Sequence, residues 1–276
     1  GARTQKDWGE PNHKVQHECC REKGNQKSYR LMSQKVINLL KDDNEYYGGV
    51  GKNYLSNSDI GALLSNPREF GVKKEDNVNF AKGRLFHHLI LEPEKVKDWN
   101  PVDVSSRNTK KYKEILEGSG EPFLLLQKEY DEITSLAKVM TENLDFYDMI
   151  YADGNQFEVP MIGEIGGVMW KGKADIVCDD CLIDIKTTGD IEKFIYSARS
   201  YNYDSQAYVY HTLFGKPLKF LVICKTTGQL GLFDTTTDFI ERGAEKVQRA
   251  IGVYNQFFGK DATDDVNQYF RHVQLL

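Results

Sequence analysis

The sequence is poor in the residues that mark several protein classes. It has 7 Pro among 276 residues and no Pro-rich, repetitive or low-complexity tract, which excludes a collagen-like or wholly disordered chain. Five Cys are too few, and odd in number, for a disulfide framework. They fit a reducing compartment, so a cytoplasmic location is expected. Apolar runs such as Phe123–Leu126 and Leu221–Cys224 fall far short of the roughly 20 residues of a membrane helix, and no membrane partner is expected. Gly1-Ala2-Arg3 leads into polar residues without the apolar stretch of a secretory signal. Neither sign of charge dominates: 36 Lys+Arg against 41 Asp+Glu leave a formal −5. Bulk attraction to a polyanion is thereby excluded, and contact with nucleic acid needs local patches or a bound metal ion. A Gly-x-x-x-x-Gly-Lys-Ser/Thr phosphate loop is also missing, so the chain carries no ATP-driven motor.

What remains is 40% hydrophobic and 28% charged, enough for one well-filled core. Residues 1–28 are polar and aperiodic and read as a flexible arm. His13, His17, Cys19 and Cys20 cluster there, in a spacing that matches no standard zinc module. Leu31, Val36, Ile37, Leu39 and Leu40 predict a short helix closed by the Gly48–Gly51 turn. Ser56-Asn57-Ser58-Asp59 caps a second helix, which Asn66-Pro67 breaks. A third runs from Phe80 to Leu91, before Pro93. Pro101–Lys113, with Arg107, Lys110, Lys111 and Lys113, reads as a solvated surface, or less readily as a phosphate-contacting loop. Residues 128–150 have helical 3/4 spacing. The period then changes: Phe157–Ile162, Val168–Val177 and Leu182–Thr188 predict strands. A helix over Tyr203–Leu213, strands at Phe220–Lys225 and Leu230–Asp234, and a long helix over Asp238–Phe258 follow. The order gives an α/β fold with a central mixed sheet and an N-terminal helical part.

Chemistry concentrates around one hairpin. Asp179-Asp180 suits a two-residue turn between strands, and that register puts Asp175 across from Asp184. Cross-strand partners lie ~4.5–5.5 Å apart at Cβ. Two carboxylates so close, each flanked by Ile or Val, repel and are costly to desolvate, a conflict that a hard divalent cation such as Mg²⁺ or Mn²⁺ removes. Lys186, two residues past Asp184, shares its face. Its ammonium could hold or deprotonate a water, or neutralise charge building on a phosphoryl group. The same residues could equally form surface ion pairs, Lys173–Asp184 or Asp175–Lys186. Glu158, on the preceding strand, could supply a further carboxylate. Gly83-Arg84-Leu85-Phe86-His87 places a histidine on a helix as a potential nitrogen ligand, with His88 as a rival and a core role as the bland alternative. Gln206 and Tyr210, four apart on a helix, point the same way, which leaves Gln206 able to contact a phosphate or orient Lys186. Cys178 and Cys181 flank the turn, but two thiols do not complete a zinc site.

The ordered set Gly83…His87, Glu158, Asp175, Asp184-Ile185-Lys186 and Gln206…Tyr210 resembles the PD-(D/E)XK nucleases. Within them it is most similar to the RecB-like branch containing the RecE (exonuclease VIII) C-terminal nuclease and related phage exonucleases. Gly83–Pro93, Ile183-Asp184-Ile185-Lys186-Thr187-Thr188 and Leu55-Ser56-Asn57-Ser58 leading to Pro67 carry that similarity, which spans roughly residues 53–258. The resemblance implies a restriction-endonuclease-like fold in a single nuclease domain over 29–276, helical over about 29–150 and with its catalytic sheet core over about 155–258.

It further implies a Mg²⁺-dependent, ATP-independent exonuclease, with Mn²⁺ as substitute, that degrades one strand of linear duplex DNA. The single strand left would feed a strand-annealing recombinase, and relatives assemble as homo-oligomeric rings. By resemblance, His87, Asp175, Asp184 and the Ile185 carbonyl ligate metal. Lys186 is catalytic, Glu158 is a ligand or orients one, and Gln206 and Tyr210 complete the last motif. His87 is preferred over His88 because it keeps the Gly-x-x-x-His spacing. Relatives with an iron–sulfur cluster have a Cys where Asn66 stands and further Cys near the end. No Cys follows Cys224 here, so no cluster is expected. The alternatives are a structure-specific or single-strand nuclease of phage DNA repair or host DNA breakdown, and a DNA-binding module without catalysis.

Overall fold

The structure, a computed structural model, describes residues 32–73 and 75–272. The residue 1–28 arm, with His13, His17, Cys19 and Cys20, lies outside the described residues. The chain divides into two compact units, Gly1–Lys52 and Asn53–Leu276. In the first, helix α1 (32–39) is followed by a short α2 (Asp43–Tyr47). The single helix expected here is two, because the Asp42 carboxylate accepts from the Asn44 and Glu45 amides at 2.8 and 3.2 Å and starts a new one.

The second unit holds α3 (Asn57–Ser65), α4 (Val78–Leu91), α5 (Lys110–Ser119), α6 (Gln127–Glu142) and α7 (Leu144–Tyr151). Then come β1 (Gln156–Ile165), β2 (Val168–Val177), β3 (Leu182–Thr188), α8 (Phe194–Ser200), α9 (Tyr203–Phe214), β4 (Leu218–Cys224), β5 (Leu230–Asp234) and α10 (Thr237–Phe257). Local chemistry sets most boundaries. Ser56 and Asp59 form a reciprocal capping box at the start of α3, and Asn77 accepts from the Asn79 and Phe80 amides to start α4. The continuous helix expected over 128–150 is broken instead, since the Asn143 side chain accepts from the Phe146 amide at 3.0 Å and begins α7 afresh. The basic stretch after Pro101 contains an unexpected helix start: Thr109 caps α5, and Gly120, at φ 72°, ends it. Arg107 in that stretch is committed to Glu129, with Nη1 to Oε1 at 3.0 Å and a second, closer contact from Nη2 to Oε2.

Five strands form one mixed sheet in the order β1-β2-β3-β4-β5. Only β3 and β4 run parallel, and the chain between them passes through α8 and α9, the long crossover that parallel pairing demands. The sheet is covered on both faces. Phe220 and Val222 of β4 join Trp170, Ala174 and Leu182 in a core shared with α3, α8, α9 and α10. Leu221 and Ile223, on the alternate face, join Ile176, Ile183 and Ile185 against α4, α6 and α7. A strand buried on both sides reads as a continuous apolar run, as Phe220–Cys224 does. The consequence for β3 is that Asp184 is held deep inside this unit.

Candidate active site

The β2–β3 hairpin pairs only next to its turn, at Val177↔Leu182 and Ile176↔Ile183. This corrects the expectation of a ladder continuing to an Asp175–Asp184 pair. The register near the turn fits, but main-chain pairing stops one residue short of both aspartates. Asp175 reaches across instead: its Oδ2 accepts from the Ile185 amide at 2.8 Å, standing in for the carbonyl that a continuing ladder would supply. The strands are thus parted where their acidic side chains sit.

Into this opening α4 brings His87. Its Nε2 lies 3.2 Å from the Ile185 carbonyl oxygen, and its Nδ1 is 3.6 Å from Asp175 Oδ2 and 3.9 Å from Glu158 Oε1. His88 is used elsewhere, its Nδ1 accepting from Trp99 Nε1 at 2.9 Å. Gly83, one turn before His87, faces open space; a Cβ there would meet nothing within 4 Å. Glu158 reaches the group by a local distortion of β1. Its φ is 51°, and the β1–β2 pairing passes from Phe157↔Ile176 to Val159↔Ala174 without it. Holding a non-glycine residue there costs about 1–2 kcal/mol.

The other half of the site is anchored by α9. Asp184, 1% exposed, accepts from Gln206 Nε2 at 2.5 Å through Oδ1, while Oδ2 is ion-paired with Lys186 Nζ. That Oδ2 is buried and accepts no hydrogen bond of good geometry. Gln206 therefore holds Asp184 rather than Lys186. Tyr210 lies farther back: its hydroxyl donates to the Lys173 carbonyl at 2.7 Å and ties α9 to β2. Gly172 makes room for that ring, since a Cβ there would stand 2.9 Å from Tyr210 Cε1. One residue was not foreseen. The Tyr203 ring lies with its centroid 5.1 Å from Lys186 Nζ, close enough for a cation–π contact. Its signal was available, three residues before Gln206 on the same helix face.

Burial and crowding set the protonation of the group. Burial pushes Asp175 up, the Asp184 charge adds to this, and its carboxyl is raised to about 7. Burial alone would lower His87, but Asp175 and Glu158 outweigh it and raise the imidazole to about 9. Burial would likewise lower Lys186, yet Asp184 and Asp175 leave it well above the ordinary lysine range. The pocket gathers negative charge that one proton and one ammonium only partly balance. His87, Glu158 and Asp175 each offer a ligand atom within 4.8 Å of the others. One nitrogen and several carboxylate oxygens around a partly exposed opening fit a hard divalent cation, which would replace the His87 proton. Asp184 Oδ2, buried and ion-paired with Lys186, is a further carboxylate oxygen suited to the same need.

Residues 63–265 match the family described as "PDDEXK-like domain of unknown function (DUF3799)". No curated protein matches the sequence. Among solved structures, the chain is similar to a "Putative exonuclease" from Eubacterium rectale, with TM-score 0.56 and 18% identity over 78% of this chain and 86% of that one. At that identity the likeness speaks for the fold. SSO0001 aligns over 72% of this chain and 84% of its own at 18% identity, but with a TM-score of 0.29 it carries no argument.

Proposed function

Because the chain belongs to the PDDEXK-like DUF3799 family, we propose that it is a metal-dependent nuclease that hydrolyses phosphodiester bonds in DNA. The finer reading is an ATP-independent exonuclease acting on the ends of linear duplex, with its single-stranded product passed to a strand-annealing recombinase. The observation that supports it best is the parting of β2 from β3, where His87, Glu158, Asp175, Asp184 and Lys186 surround one opening.

His87, Asp175, Asp184, the Ile185 carbonyl and Glu158 are the groups that would hold the cation. Mg²⁺ is the expected occupant and Mn²⁺ its substitute. A bound divalent cation would supply Lewis acidity toward the phosphate and lower the pKa of an attacking water. The chain's own part is positional and electrostatic. Lys186, held charged by Asp184, presents an ammonium where negative charge grows on the phosphoryl oxygens. Tyr203 fixes that amine from one side. Gln206 fixes the Asp184 carboxylate so that Oδ2 stays turned to Lys186. Tyr210 secures α9 against β2 through the Lys173 carbonyl.

The test is release of nucleotides from end-labelled linear duplex, compared with circular and single-stranded DNA, with and without Mg²⁺. Lys186→Ala and Asp184→Asn should each lower the rate by at least about 100-fold while the protein still melts cooperatively. Undiminished cleavage by either variant rejects the site. Equal cleavage of circular and linear duplex rejects the exonuclease reading and leaves the nuclease.

A further inference from the structure

The rings that begin under Lys186 continue to the surface. Phe194, Phe220 and Tyr203 pack together in the core. Tyr203 lies nearly parallel to Phe220 at 5.5 Å and 29°, and 5.9 Å from Phe194. Beyond Tyr203, with centroids 6.0 Å apart and planes tilted by 42°, stands Tyr201. It is 67% exposed. An aromatic ring is thus displayed to solvent one ring beyond the proposed phosphate-facing amine.

The corner that displays it is tightly held. Asn202, between the two tyrosines, adopts φ 59°. Its carbonyl accepts from Asn57 Nδ2 at 3.0 Å and Ser205 Oγ at 2.9 Å, and its Oδ1 accepts from Lys246 Nζ at 3.1 Å. Lys246 also donates to the Arg199 carbonyl at 2.9 Å and to Asp204 Oδ1 at 2.8 Å. Helices α3 and α10 therefore brace the junction of α8 and α9 from outside. A mostly exposed tyrosine on a braced turn gains little from its own burial. It is, however, pre-organised to stack on a flat partner at low entropic cost.

We propose that Tyr201 is a base-stacking residue, receiving the nucleobase of a nucleotide next to the phosphate held at Lys186. This rests on the nuclease reading above and deepens it: the substrate strand would meet the site unpaired, with a base turned out onto the ring. Every base has a π-face, so the contact is indifferent to sequence. That suits a chain whose net charge of −5 offers no general attraction to a polyanion.

The experiment measures binding of the full chain to two labelled strands of equal length, one of thymidine and one abasic, with Ca²⁺ replacing Mg²⁺ to prevent turnover. Tyr201→Ala should weaken the thymidine strand by about ten-fold or more and leave the abasic strand unchanged. Tyr201→Trp should keep the affinity and gain an indole emission, relative to wild type, that the thymidine strand quenches and the abasic strand does not. Equal effects of Tyr201→Ala on both strands, or none on either, overturn the proposal. So does a loss of self-association with unchanged base-dependent binding, which would assign Tyr201 and its exposed neighbours Ile195 and Tyr196 to a protein interface. If wild type cleaves DNA while Tyr201→Ala binds normally, stacking alone fails. If wild type neither binds nor cleaves DNA, the nuclease reading fails with it.

Discussion

Glu158 holds a left-handed backbone that a glutamate would not choose, and the return is a carboxylate oxygen 3.9 Å from His87. Asparagine tolerates that conformation better. Glu158→Asn should therefore raise Tm by on the order of 2 °C while weakening metal binding, as read by calorimetric titration with Mn²⁺. A lower Tm would show that the position is unstrained. Glu129 offers a second single-residue test. Burial would raise its carboxyl, but the Arg107 guanidinium, the Leu126 amide and the Lys82 charge together hold it below the usual carboxylate range. Its folded pKa is depressed, so its contribution is present above the unfolded value, near 4.3, and is lost as pH falls through the folded one. Between neutrality and about pH 3, Tm should fall more steeply for wild type than for Glu129→Gln. Parallel curves would remove the linkage. At this scale the sequence was informative where chemistry is local: Asp175, Asp184 and Lys186 lie on one hairpin. It was mute on the φ of Glu158, which depends on how separate elements meet, and the three-residue spacing from Gln206 puts Tyr203 on that helix face without saying that it lies beneath Lys186.

Helix α10 approaches the first turn of α9 so closely that a Cβ on Gly243 would stand 2.0 Å from the Asp204 carbonyl oxygen. That contact is backbone and cannot swing aside. Gly243→Ala should thus cost about 1–3 kcal/mol, read by denaturant unfolding. It should also lower activity in excess of the folding loss, since the displaced turn carries Tyr203 and leads to Gln206. An unchanged midpoint would mean the helices separate freely. Most elements were legible from period and caps, including α3 with its polar cap and the strands β2 and β3. The exceptions have a common cause: α5, α7 and α8 each begin at a short polar or loop-like junction, where one side-chain bond or one turn of backbone decides the boundary. Asn143 accepting from the Phe146 amide is enough to split what spacing alone presents as one helix. The interruption of the β2–β3 ladder was equally hidden, because residue register cannot say where two strands cease to pair.

For the molecule as a whole, the crowded carboxylates of the site are a standing cost that a divalent cation would relieve. Binding to the folded state alone stabilises by mass action, so Mg²⁺ or Mn²⁺ should raise Tm by a few degrees at saturation and a chelator should reverse it. Asp175→Asn should abolish most of that response. A metal-dependent rise that survives in Asp175→Asn would place the cation elsewhere. The overall balance of charge, read from composition, says only that no broad basic surface drives binding, and it left the site to be found residue by residue.

His87 meets the Ile185 carbonyl across 98 positions of sequence, and Asp184 is fixed by a helix that follows it by 22. The strand bearing Asp184 is itself flanked by β4, which is made later still. A chain emerging from the ribosome therefore cannot assemble this constellation until α9 and β4 have appeared. Whatever hydrolytic capacity the fold possesses stays unassembled while only the residues before α9 have been made, and a product cut short there would lack the helix that fixes Asp184.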